Sequence, residues 1–268
     1  MTNQTTAYED IKEEIGDSIS HLFDQLLSES MAMQSPEGIE PEKNGDFSGM
    51  INRISKNFTP PSFQQCEEEN FSLQVGLFKP KTQEGPTGSD YAVVFEVFDK
   101  NSDFPKKSKT TLVQAKVGSA LSGVNTKGSV SIYDKHCKDQ LETIGRLTPN
   151  DGFLLIYTDS GCYCVNAEDA LKKSQGKGTF RFDKADLMNA GTIGKELAIC
   201  NKGNVREISP VGLGVARNAD NTVNLNDFVA KLTAFGVKKP STVINIVTTI
   251  KPSLKQKNTL GPKKKKPK

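Results

Sequence analysis

The chain has 268 residues, 35% apolar and 25% charged, with a formal net charge of +3. That length allows one domain with extensions or two small ones, with a core of roughly 150–180 residues once the polar ends are set aside. No run approaches the ~20 apolar residues of a membrane span, and the start, MTNQTTAYEDIKEEIG, lacks the basic and apolar stretches of a secretory signal, so a cytoplasmic protein with no membrane partner is expected.

Charge is unevenly spread. Residues 1–50 carry eleven acids against two lysines, while residues 251–268 carry eight lysines and no acid. Removing those eight lysines from a net charge of +3 leaves −5. A lysine run among Pro and Gly cannot bury a core, so 251–268 is expected to be a disordered tail. It serves either solubility or attraction to phosphates, through residues such as Lys263 and Lys264.

In chain order, Tyr8, Ile11, Ile15, Ile19, Leu22, Phe23, Leu26 and Leu27 recur at helical spacing. They predict an acidic amphipathic helix over 8–30, whose apolar stripe must be buried against this domain or another chain. With the Pro- and Gly-containing linker after it, this makes an N-terminal region of 1–45, and a partner protein or a second copy of the chain could dock there. A second helix is expected over 46–58, then a short helical segment bearing Glu67, Glu68 and Glu69. FSLQVGLF (71–78) alternates like a strand, DYAVVFEVF (90–98) is a second strand, and TTLVQAKV (110–117) a third, together forming a meander. The polar stretch DKNSDFPKKSK connects the last two.

SVSIYDKHCKDQLETIGRL (129–147) is expected to be a helix, GFLLIYT (152–158) a strand buried on both faces, GCYCVNA (161–167) an adjoining strand, and EDALKKS the start of another helix. Beyond 180 the signals are a short helix near ADLMNAGTIGKELAIC, a helix over 224–236 capped by Asn224 or Asn226, and strand composition over 241–250. The expected fold is α/β, a mixed central sheet with helices on both faces, with 46–180 as its core and 181–250 as a C-terminal elaboration. Of the five cysteines only Cys162 and Cys164 are close, and with two histidines in the chain they make a poor zinc site. Buried thiols in a reducing compartment fit better.

One constellation carries chemistry. Gln114 and Lys116 are two apart on a strand and share a face, and Asp90 opens the neighbouring strand 24 residues earlier. With a carboxylate from Glu67–Glu69 they would bring oxygen donors and a cation to one end of the sheet. Asp90, the Gln114 oxygen and the Ala115 carbonyl suit Mg²⁺ or Mn²⁺, a hard cation that takes oxygen ligands. Lys116 would orient a water or neutralise charge developing on a phosphate. The plainer alternatives are that Asp90 caps a turn after PTGS and that Gln114 and Lys116 face solvent. Glu96 shares Asp90's face by even spacing and is a further candidate ligand.

GSDYAVVFEV followed by TTLVQAKV resembles the core of PD-(D/E)XK nucleases, over roughly residues 60–170. The Gln-x-Lys form is similar to Mrr-type restriction endonucleases and to nuclease effectors of bacterial antiphage systems. The resemblance implies a restriction-endonuclease-like three-layer α/β/α fold and a metal-dependent, DNA-cleaving endonuclease. Asp90, Gln114 and Lys116 match the family's metal-binding and catalytic positions, and Glu69, with Glu68 next, its acidic residue on the first helix. Tyr133 and Gln140, on the helix that follows, either contact the substrate strand or hold ordinary helix positions. Two departures stand out: Ser89 replaces the Pro that gives the family its name, and Gln for Glu removes one negative charge. The alternative is a catalytically inactive, nuclease-like binding subunit of a larger defence complex.

Overall fold

The computed structural model describes residues 70–78, 89–99, 102–118, 128–158, 161–176, 178–199 and 207–250, most positions between 12 and 24, and positions 49 and 53. The second expected helix falls almost wholly outside the described residues, as do Glu67, Glu68, Glu69, Lys263 and Lys264.

The elements run from α1, helical at the described positions within 12–24, to a C-terminal strand. The strands are β1 (Asn70–Leu77), β2 (Tyr91–Asp99), β3 (Lys107–Val117), β4 (Ser129–Tyr133), β5 (Phe153–Thr158), β6 (Gly161–Asn166), β7 (Thr179–Asp183), β8 (Met188–Asn189) and β9 (Thr242–Ile250). The later helices are α2 (Cys137–Leu147), α3 (Ala167–Lys172), α4 (Thr192–Ile199) and α5 (Leu225–Ala234). Seven strands form a mixed sheet in the order β1-β9-β2-β3-β5-β6-β8, and β4 pairs with β7 in a separate two-stranded ribbon.

β2 and β3 are antiparallel, with Tyr91 opposite Val113 and Ala92 opposite Leu112. β5 runs parallel to β3, with Gln114 opposite Leu154 and Lys116 opposite Ile156. The crossover between those strands contains β4 and α2. All six residues of β5 are buried, as a continuous apolar strand covered on both faces requires.

Alternation divides the sheet into two apolar layers. Tyr91, Val93, Phe95, Val113, Leu155 and Ile244 face one way, against Ile15, Ile19 and Phe23 of α1 and Ile193 of α4. Burying each large α1 side chain stabilises the docked helix by about 1.5–3 kcal/mol. Its described apolar stripe is thus buried on the chain's own sheet. Gly194 permits the close approach, because a Cβ there would come within 2.3 Å of Ile19 Cγ2. Lys195 of α4 adds a 2.5 Å ion pair with Asp17.

On the other face, Ala92, Val94, Leu112, Leu154 and Ile156 pack with Leu141 and Ile144 of α2 and Phe228 and Leu232 of α5. The ribbon joins this layer through Val130, Ile132, Phe180 and Phe182, each at most 1% exposed. Asn224 caps α5 as expected, its side chain accepting from the Asp227 N–H. The chain is therefore α/β, with a mixed sheet and helices on both faces.

Four expectations are corrected. The three-strand meander is interrupted, because β9 lies between β1 and β2, antiparallel to the first and parallel to the second. β9, expected in a C-terminal elaboration, is an interior strand of the sheet. Residues 129–133 form a strand rather than the start of a helix, since Val130 and Ile132 alternate with Ser129 and Ser131 and only α2 keeps helical spacing. β3 begins at Lys107, inside the expected polar connection: pairing with Val97 and Phe95 carries Lys107 and Lys109 into the sheet, where both are buried.

Candidate active site

Asp90 immediately precedes β2, and its backbone is held from both sides. Its N–H donates to the Val113 carbonyl at 2.9 Å, and its carbonyl accepts from Ser241 N–H at 2.9 Å, Ser241 Oγ at 2.7 Å and Thr242 N–H at 3.2 Å. Continuing the β2–β3 register places Asp90 opposite Gln114. Their side chains meet: Asp90 Oδ2 accepts from Gln114 Nε2 at 2.5 Å and from the Ala115 N–H at 2.7 Å.

Gln114 and Lys116 point inward with Leu112, not into solvent, and both are buried. The Gln114 amide also donates to the Ala115 carbonyl at 3.2 Å, while its Oε1 is buried with no hydrogen-bond partner. A buried amide oxygen left unpaired costs about 1–3 kcal/mol. A half-turn about the last side-chain bond would exchange the amide's two ends and set Oε1 against the Asp90 carboxylate. Two oxygens facing each other in that way are stable only with a cation or a proton between them.

Lys116 holds a residue that sequence reasoning missed. Its Nζ lies 2.8 Å from Asp134 Oδ2, with the two side chains 7% and 26% exposed. Asp134 occupies the corner between β4 and α2, where its Oδ1 accepts from the His136 N–H at 2.7 Å. Burial pushes its carboxyl up, but the hydrogen bond from Lys116, the His136 N–H and the Lys116 charge together hold it below its usual value. The corner is clamped by Gly178, whose carbonyl accepts from the Asp134 N–H at 2.9 Å. Gly178 has φ +77°, and a Cβ there would sit 2.4 Å from the Asp134 carbonyl oxygen, so only glycine fits. The sequence offered no signal for it, because Asp134 fell inside the helix expected over 129–147; its reach to Lys116 depends on 129–133 being a strand.

The oxygens grouped here are those of the Asp90 carboxylate, the orphaned Gln114 Oε1 and the Ala115 carbonyl. Their chemistry is that of Mg²⁺ or Mn²⁺, though one carboxylate supplies little charge. Among the described residues no group of three His, Cys, Asp or Glu side chains is arranged to hold a metal ion.

The remaining candidates lie elsewhere. Glu96, six residues along β2, is about 20 Å from Asp90, and its Oε1 is bound by Arg217 at 2.8 Å and Ser108 Oγ at 2.9 Å. It belongs to a buried ion pair, not to a ligand set with Asp90. Gln140 lies on α2 but is buried, with its Oε1 lacking a partner. Tyr133 ends β4 rather than starting a helix, and its ring is 77% exposed beside Asp134. Cys162 and Cys164 lie on β6 as unbridged thiols, and burial pushes the Cys164 thiol up to about 12. No helix among the described residues is long and apolar enough to cross a membrane. Comparison with models of known protein families, with curated proteins and with solved structures found no match.

Proposed function

We propose that this protein is a metal-dependent nuclease of the restriction-endonuclease-like class, hydrolysing phosphodiester bonds of DNA. One observation carries the reading: Asp90, directly before β2, is hydrogen-bonded to Gln114 of β3, and Lys116 lies on the same face of β3 two residues on. A bound Mg²⁺ would polarise the phosphate and lower the pKa of a water. Asp90 and Gln114 would hold it. Lys116 delivers a positive charge in a poorly hydrated position, where it stabilises a developing oxyanion more strongly than it would in water. Asp134 keeps that ammonium charged and aimed. The role of a defence effector rests on the sequence resemblance alone.

The test is incubation of supercoiled plasmid with Mg²⁺ and either wild-type protein or Lys116→Ala. Nicking or linearisation by wild type and its loss in the variant is the expected result. A Lys116→Ala protein that cleaves as fast as wild type overturns the proposal.

A second reading, a nuclease-like binding subunit without catalysis, has its own observation. Gln114 donates to Asp90 and Asp134 binds Lys116, so every charged group of the site has a partner without a cation, and Gln114 Oε1 alone among these side-chain groups is left unpaired. Calorimetry with Mn²⁺ separates the two. Binding that Asp90→Ala abolishes favours the nuclease, and no binding at millimolar concentration favours the subunit.

A further inference from the structure

The β4–β7 ribbon has two unlike faces. The inner one is apolar and buried, and it accounts for the ribbon's place on the sheet. The outer one carries Tyr133 opposite Thr179, Ser131 opposite Arg181 and Ser129 opposite Asp183, with Tyr133, Arg181 and Asp183 exposed. With these pairings Tyr133 and Arg181 are diagonal neighbours, their Cα positions roughly 7–8 Å apart. Beside Arg181 opens a groove of about 490 Å³, lined by Lys172, Lys173, Ser174, Gln175, Arg181 and Asp183.

An exposed aromatic side chain alone means little. Phe104 is as exposed as Tyr133, but it lies between β2 and β3, at the far end of the sheet from Asp90. Tyr133 differs in its surroundings. The next residue in the chain is Asp134, which binds Lys116. Exposed Lys135 follows, and Arg181 makes no ion pair with a described residue. Lys172 and Lys173 are paired with Asp169 at 2.7 Å and Asp186 at 2.8 Å, but these are surface pairs, weak enough to exchange for a phosphate.

We infer that the outer face of this ribbon binds single-stranded nucleic acid, with Tyr133 stacking on a base and Arg181, helped by Lys172 and Lys173, contacting the flanking phosphates. The inference deepens the proposed function by naming the form of its substrate, and it rests on that reading for the direction in which the strand leads, toward Lys116. A flat exposed ring needs a free base face, which a duplex does not offer because its bases are stacked on one another. Cations flanking the ring supply the matching charge for the backbone. Stacking uses the face of a base and not its edges, so binding carried by Tyr133 is tolerant of sequence.

The test is fluorescence anisotropy with a fluorescein-labelled oligothymidylate of about 15 nucleotides, a typical site size, and with a duplex of the same length. Full-length protein is used, in EDTA and at physiological ionic strength, so that no cleavage occurs. Tyr133→Ala should weaken single-strand binding roughly tenfold, as expected for one lost stacking contact. Tyr133→Phe should bind as wild type, and Arg181→Ala should weaken binding and flatten its salt dependence. Phe104→Ala is the surface control and should change nothing. Wild type that fails to bind the single strand, Tyr133→Ala that binds as wild type, or equal dependence of duplex binding on Tyr133 overturns the inference. The two readings fail separately. Plasmid or oligothymidylate cleavage in Mg²⁺ with unchanged Tyr133→Ala binding removes the platform alone, and Tyr133-dependent binding with neither plasmid nor oligothymidylate cleaved in Mg²⁺ removes catalysis alone.

Discussion

Lys116 Nζ sits 2.8 Å from Asp134 Oδ2, which joins the middle of the sheet to the corner between β4 and α2. The lysine is the more buried partner, so the pair exists chiefly to accommodate its charge. Asp134→Asn would keep the shape and remove the carboxylate. Breaking a fully buried pair costs about 3–5 kcal/mol, and Asp134, a quarter exposed, lowers the expectation to about 2–3 kcal/mol. Its folded carboxyl lies below its usual value, so its contribution is complete above the unfolded pKa near 4 and fades as pH falls through the folded one. Thermal unfolding should show a constant gap between wild type and Asp134→Asn from neutral pH to about 5, closing below about 4. A gap that widens in acid would contradict the assignment.

Gln114→Glu sets a second carboxylate against Asp90, in place of an amide that now donates at 2.5 Å. Without a divalent cation the like charges repel, at a cost of about 2 kcal/mol, or about 4–8 °C in Tm. Mg²⁺ at about 100 times its Kd would return about 2.7 kcal/mol. Melting curves with and without Mg²⁺ check this, and a Tm indifferent to the cation would argue against a metal position between the two side chains.

How much of this was legible beforehand divides along range. β2, β3, β5, α2 and the Asn224 cap were readable because alternation, continuous apolar runs and capping residues are local signals. The pairing of Tyr91 with Thr242 was not, because no local pattern records which of several apolar strands lies beside β2. β4 was misread as helix because Ile132, His136, Leu141 and Ile144 happen to fit a helical period, and that hid the Ser-Val-Ser-Ile alternation. Losing β4 also hid Asp134, since a helix there places the carboxylate elsewhere. Gln114 and Lys116 stood out because two polar residues at period 2 interrupt an apolar strand, and their burial rules out the solvent-facing alternative.

Glu96 and Arg217 make a second buried pair at the other end of β2, with the carboxylate side chain 0% and the guanidinium 20% exposed. Arg217 also stacks over Phe98, 5.0 Å from the ring centroid, and donates to the Asn221 carbonyl. Arg217→Met should destabilise by about 3–5 kcal/mol, because it strands a carboxylate whose Oε2 already lacks a partner. Glu96→Gln combined with Arg217→Met should recover part of that loss in urea unfolding. Additive losses would show that the two side chains act independently.

Cys164 is buried against the Asn189 carbonyl, and burial holds its thiol near 12. Almost none of it is thiolate at neutral pH, so native-state alkylation should spare it. Half-buried Cys162, two residues away, should react first. Peptide mass spectrometry after iodoacetamide treatment reads both sites, and early labelling of Cys164 would mean that β6 opens in the native state.

The position of β9 sets an order of events during synthesis. Residues 70–158 already hold Asp90, Gln114 and Lys116, yet Asp90's carbonyl gains its three hydrogen bonds only from Ser241 and Thr242. A nascent chain that has not delivered those residues has an open groove where β9 belongs, and the Asp90 carbonyl is left to water. Closing that groove joins positions about 150 apart, a slow long-range step. The carboxylate facing Gln114 therefore reaches its final setting last, after most of the sheet that surrounds it has been made.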